Sequence, residues 1–167
     1  MISCRTNTRR IRPGVTAGRW EVALRPGFGD DRGMKGPQET ARVVQVDDPS
    51  TGRRLTAWIH EAGDDVVVVI GGGDRPHVGC VVLAVAARVR DDGSGFSVSS
   101  SVLTIPPHKE EPIARTVAEA ICGRLGRVTV VTAGVHEDDL DRAGIETYLR
   151  LVDELATAVV RDVDQRS

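Results

Sequence analysis

Beyond residue 40 the apolar positions first recur every second residue and later every fourth, and this switch of period lays out the elements. Ala41 to Val46 and Arg53 to His60 alternate on either side of the turn cluster Asp47-Asp48-Pro49-Ser50-Thr51-Gly52, which predicts a hairpin. Ala62-Gly63-Asp64-Asp65 is a second turn. Val66 to Ile70 is an unbroken β-branched run, the pattern of a central strand buried on both faces. Gly71-Gly72-Gly73 is expected to close that strand. Gly79 to Val89 is a further apolar strand, Asp91 to Gly95 a loop, and Phe96 to Leu103 a Ser-rich strand. Then Ile113, Val117, Ile121 and Leu125 fall at steps of four, predicting an amphipathic helix from Pro112 to Leu125 that Gly126 stops. Val128 to Thr132 is a last buried strand. Asp141 to Val163 is a terminal helix with Ile145, Leu149, Val152, Leu155 and Val159 as its apolar positions. The order βββββαβα predicts an α+β fold: a mainly antiparallel five- to six-stranded sheet with two helices packed on it.

Residues 1–38 break both periods. Arg12-Pro13-Gly14, Arg25-Pro26-Gly27 and Lys35-Gly36-Pro37 punctuate a stretch with little to bury, so a flexible or loosely packed arm is expected ahead of one domain, 39–167. Arg19 to Leu24 alternates briefly, as a short edge strand would.

Composition narrows the functions. The net charge of −2, from 22 basic and 24 acidic side chains, lacks the basic excess of a nucleic-acid binder. With only Trp20, Phe28, Trp58, Phe96 and Tyr148 as aromatics, no stacking platform for single strands is visible and the core must be aliphatic. Cys4, Cys80 and Cys122 have no metal-like spacing, and the last two sit in apolar runs as buried thiols would. No apolar h-region follows the Arg-rich start, and no apolar stretch is long enough to cross a bilayer. A cytoplasmic protein with neither nucleic-acid nor membrane partners is expected.

Three of the four histidines lie in short polar turns beside predicted strands: Asp74-Arg75-Pro76-His77, Pro107-His108-Lys109-Glu110-Glu111 and Gly134-Val135-His136-Glu137-Asp138. Strand ends of one sheet can converge, so these turns are candidates for one polar site. Asp74, Glu110 or Glu111, and Asp138 stand ready to fix imidazole tautomers around a ligand. If a metal is present, His77, His108 and His136 would hold it, but their spacing matches no standard zinc motif and no metal is expected. The glycine triplet does not lead into a helix, which excludes a dinucleotide-binding turn and leaves a tight turn or a phosphate contact through exposed amides. Lys109 opposes the dipole at a helix entry, where a bound phosphate or carboxylate would explain it. Ser99 and Ser101 offer hydroxyls on one face of their strand. No nucleophile elbow occurs and no cysteine has a local activating base, so catalysis is not expected.

The segments Gly72-Gly73-Asp74-Arg75-Pro76-His77-Val78-Gly79, Pro107-His108-Lys109-Glu110-Glu111 and Ala133-Gly134-Val135-His136-Glu137-Asp138 resemble the LpdD-like family of prenylated-flavin chaperones associated with UbiD-type gallate decarboxylases. The family pattern runs G-G-x-x-P-H-I-G, G-H-K-E-D and G-I-H-x-D-N, and the resemblance covers about residues 40–160. Pro107 replaces a glycine, Glu111 an aspartate, and Asp139 an asparagine. The resemblance implies a proteasome-assembly-chaperone-like architecture, a homodimer, and a non-enzymatic protein. Its implied task is to bind prenylated flavin mononucleotide (prenylated FMN) and pass it to a UbiD-type decarboxylase. On that footing Gly71, Gly72, Gly73 and Lys109 would meet the phosphate. His77, His108 and His136 would meet the polar ring edge and aliphatic side chains the flavin face, with Ser99, Ser101, Glu110 and Asp138 completing the expected cofactor-binding set. Two alternatives stand beside it: a metal-dependent enzyme using the three histidines, and an assembly chaperone that binds only protein.

Overall fold

The computed structural model describes residues 41–165. The arm proposed for residues 1–38, its short edge strand and Cys4 lie outside the described residues. Six strands and two helices follow in the order β1 (Arg42–Asp47), β2 (Arg54–Ala62), β3 (Asp65–Gly73), β4 (Cys80–Val89), β5 (Phe96–Thr104), α1 (Glu111–Leu125), β6 (Thr129–His136) and α2 (Arg142–Asp164). This is the expected α+β succession. The sheet runs β1-β2-β3-β6-β4-β5, and every neighbouring pair is antiparallel except β3 and β6, which are parallel.

Both helices cover one face of the sheet. Alternation on β2 and β3 sends Leu55, Ala57, Ile59, Val66, Val68 and Ile70 under them, each at most 1% exposed. Cys80, Val82 and Val131 continue that layer, and Val117, Ile121, Leu155 and Val159 close it from above. Cys80 and Cys122 are buried free thiols, as their apolar surroundings implied. The opposite face is more open, with Val69, Leu83, Val85 and Leu103 exposed, so β3 is buried on one face and not, as its unbroken apolar run implied, on both.

Three further local expectations are corrected. The glycine triplet does not close β3 but extends it: Gly71 pairs with Thr56 and Gly134, Gly72 with Leu55 and Val135, and Gly73 with His136. Only a glycine suits the last position, because φ is +71° and a Cβ would overlap the His136 carbonyl. Strand β6 likewise runs on to His136 rather than ending at Thr132. On α2, Ile145 and Leu149 are 48% and 50% exposed, while Tyr148, Leu151, Val152, Leu155, Ala156, Val159 and Val163 are buried. Leu149 stands about 60° around the helix from Val152, at the margin of the buried stripe. Ile145 lies in the first turn, ahead of the run of buried side chains.

Candidate functional site

The parallel pairing of β3 with β6 sets Gly73 beside His136, so both strands deliver their ends to the same edge of the sheet. The chain leaving β3 is then tied down over β6. The Asp74 amide donates to the His136 carbonyl at 2.6 Å, and the Gly79 amide to the Ala133 carbonyl at 2.8 Å. Gly134 is what lets this segment lie so close, since a Cβ there would overlap the His77 carbonyl. The turn after β5 joins through the Ile105 amide, which donates to the Gly79 carbonyl at 2.9 Å. Main-chain pairing thus brings together the three histidine turns that are scattered in sequence.

They form two groups. His77 Nε2 and His108 Nδ1 are 2.9 Å apart, with ring centroids at 4.2 Å. Glu110 Oε1 lies 3.3 Å from the first nitrogen and 3.5 Å from the second. Glu110 is 9% exposed and occupies the N-cap of α1, yet its side chain makes no cap hydrogen bond and turns to the histidines instead. The His136 ring is 6.2 Å from that of His77 and belongs to a more exposed set: His136 Nε2 meets Asp138 Oδ1 at 2.8 Å, and Arg75 Nη2 reaches both residues. The His136 hydrogen bond, helped by the Arg75 charge, holds the Asp138 carboxyl below the usual carboxylate range.

The remaining candidates disperse. Lys109 is exposed. Glu111 pairs with Arg115 at 2.7 Å. Ser99 and Ser101 stand opposite Val85 and Leu83 on the open face of the sheet, both exposed. It is Ser100 that faces α1, accepting from Arg115 and donating to Glu119.

Next to the histidine turns is a cavity of about 660 Å³ that takes Gly71, Gly72, Gly73, Asp74, Pro76 and Asp138 from them. Its other walls were missed in the sequence: Arg53 ahead of β2, Arg54, Thr56 and Trp58 from β2, Glu137, and Tyr148 from α2. Arg53 forks onto Glu137 at 2.6 and 3.1 Å, and the Tyr148 hydroxyl donates to the same carboxylate at 2.9 Å. The Arg53 hydrogen bonds lower the Glu137 pKa. Burial, with the bond to Glu137, pushes the Tyr148 phenol up to about 12. Arg54 is exposed and makes no ion pair among the described residues. Alternation alone puts Arg54, Thr56 and Trp58 on one face, which was the available signal.

The histidine turns all lie within a stretch that matches a known family. Residues 50–164 match the family model described as the prenylated flavin chaperone LpdD-like domain. The chain is 26% identical over 109 residues to Protein LpdD of Lactiplantibacillus plantarum, an alignment spanning 65% of this chain and 76% of that protein. A chain from the crystal structure of a novel chaperone complex for yeast 20S proteasome assembly superposes on 69% of this chain and 90% of its own length. Its TM-score is 0.45 and its identity 15%. The family match covers more than half of the sequence, including all three histidine turns and both walls of the cavity, and on that ground the chain belongs to the LpdD-like prenylated flavin chaperone family.

Proposed function

We propose that this protein binds prenylated FMN as cargo and holds it for a UbiD-type aromatic acid decarboxylase, without catalysing a reaction of its own. The observation that carries the reading is the cavity beside the histidine turns, inside the stretch that matches the family. Its 660 Å³ lies within the range of about 300–1,000 Å³ usual for sites that take small molecules and cofactors. The residues present suit a flavin nucleotide. The Trp58 indole supplies a flat apolar surface for a fused ring system. Arg54, unpaired among the described residues, supplies a fork for the phosphate. Asp74 and Asp138 supply acceptors for the N–H groups of the ring edge. Gly71 and Gly72 are paired with strands on both sides, so this reading favours Arg54 over the glycine amides for the phosphate and adds Trp58 to the aliphatic side chains for the ring. Arg53, Glu137 and Tyr148 brace one wall with a closed set of charge-assisted hydrogen bonds, which keeps the cavity shaped before cargo arrives.

A homodimer and a cytoplasmic setting are part of the same reading. No helix among the described residues is long and apolar enough to cross a membrane. Titrating the full chain with prenylated FMN, followed by flavin fluorescence, tests the proposal. Trp58→Ala and Arg54→Ala should each weaken binding roughly tenfold or more, the loss of about 1.4 kcal/mol per contact. His77→Ala and Lys109→Ala show whether the ligand also reaches the histidine turns. Unchanged affinity in all four variants, or no binding by the native chain, would sink it.

A further inference from the structure

We infer that His77 Nε2, His108 Nδ1 and a carboxylate oxygen of Glu110 form a binding site for one divalent transition-metal ion. This set differs from the three histidines expected in the sequence, because Glu110 replaces His136. The inference does not rest on the flavin reading.

Geometry comes first. The three donor atoms are separated by 2.9, 3.3 and 3.5 Å, and so lie on a circle of radius about 1.9 Å. An ion with ordinary metal–nitrogen and metal–oxygen distances of about 2.0–2.2 Å would sit just off their plane and touch all three. The ligands come from different places, His77 from the β3–β4 turn and His108 and Glu110 from the entry to α1, each held by main-chain pairing.

Proton accounting points the same way. His77 Nδ1 lies 3.2 Å from the Arg75 carbonyl, which can only accept, and this favours the neutral tautomer with its hydrogen on Nδ1 and a lone pair on Nε2 facing the group. This is the outer hydrogen bond that metal-ligating histidines commonly make. Glu110 adds a carboxylate whose side chain is 10% exposed, and whose Oε2 has no hydrogen-bond partner. With both imidazoles neutral, a single proton on His108 Nδ1 cannot satisfy the His77 lone pair and the carboxylate together. A buried acceptor left this way is costly, and a cation facing all three relieves it.

The donors also select the ion. Two imidazoles with one carboxylate suit zinc, iron(II), cobalt(II), nickel or manganese, and disfavour calcium and magnesium, which prefer all-oxygen shells. The histidine side chains are 23% and 30% exposed, so the remaining coordination positions face solvent and would take water or an anionic oxygen.

The test uses the full chain made without a histidine tag, stripped with chelator, and titrated with cobalt(II) or zinc(II) alone in the absence of flavin. One saturable equivalent per chain is expected, with the visible spectrum of nitrogen- and oxygen-bound cobalt. His77→Ala, His108→Ala and Glu110→Gln should each weaken binding roughly tenfold or more. His136→Ala and the control His60→Ala should retain it. A metal-dependent rise in melting temperature in the native chain, lost in Glu110→Gln while that variant keeps its native circular dichroism, separates ligation from misfolding. No saturable binding would overturn the assignment. So would binding that survives both His108→Ala and Glu110→Gln, or binding lost equally in His136→Ala or His60→Ala.

Discussion

Tyr148 is the only tyrosine in the chain, so its phenol can be titrated in the intact protein without an overlapping signal from another. The residue is 5% exposed, and its hydroxyl donates to a Glu137 carboxylate that Arg53 also grips. Burial is the larger cause of its raised pKa. The hydrogen bond to an anion comes next, because ionising the phenol would set two negative charges face to face. The sign follows. A pKa lifted from 10.0 to about 12 favours the protonated native form, so its contribution is complete below pH 10 and is lost as pH rises from 10 to 12. That interval corresponds to about 2.7 kcal/mol at most, falling at about 1.4 kcal/mol per pH unit. Tyrosinate absorbance should therefore appear near pH 12 in the native protein and near pH 10 in urea. Urea unfolding at successive pH values should show Tyr148→Phe with a flatter loss above pH 10 than the native chain. At neutral pH the same variant should lose about 1.5 kcal/mol, the lower end for a bond to a charged group, because Arg53 still holds Glu137. A native phenol titrating at 10, or identical alkaline profiles for the two proteins, would refute the buried Tyr148–Glu137–Arg53 network.

Gly134→Ala should destabilise by about 3 kcal/mol in chemical denaturation, since the new methyl overlaps the His77 carbonyl and the strand cannot yield without lifting the turn. Asp141→Ala removes the side chain that caps α2 by accepting from the Gly144 amide at 2.7 Å, and should lower stability by about 1 kcal/mol with little change at the cavity. Leu155→Ala should cost about 2–5 kcal/mol in the same assay, while Leu149→Gln stays within about 0.5 kcal/mol. A comparable cost for both would mean that Leu149 is buried alongside Leu155, as the sequence pattern implied.

The fold was legible where one element supplies its own evidence. Val66 to Ile70 announced a central strand, and β3 does lie inside the sheet, although only Val66, Val68 and Ile70 are buried under the helices while Val69 lies on the open face. The period shift at Ile113 marked α1 because Val117 and Ile121 do pack on the sheet. What could not be read locally is pairing. Nothing within Val128 to Thr132 says that β6 inserts between β3 and β4, or that it runs parallel to one and antiparallel to the other. The same limit misplaced the glycines: absence of a side chain looks like a turn until β2 and β6 are seen flanking it, where it becomes room for Trp58 and Pro76 against Gly71.

The site divides along the same physical line. Histidines in polar turns stood out as a type, and their convergence follows from strand ends meeting at one edge of a sheet. Their partners did not stand out. Glu110 and Glu111 are adjacent acids at a helix entry, and the dipole explains either of them equally well. Only the fold turns Glu111 to Arg115 at the surface and Glu110 inward to two imidazoles, leaving Oε2 without a partner. Arg54 and Trp58 were equally hidden, as the ordinary outer residues of a hairpin strand. The motif therefore marks where the backbone converges, while the groups best placed to grip a ligand are residues whose partners lie far away in sequence. A variant series confined to the three histidines would miss both Glu110 and the cavity wall, and for that reason Glu110→Gln and Trp58→Ala are the substitutions that discriminate most.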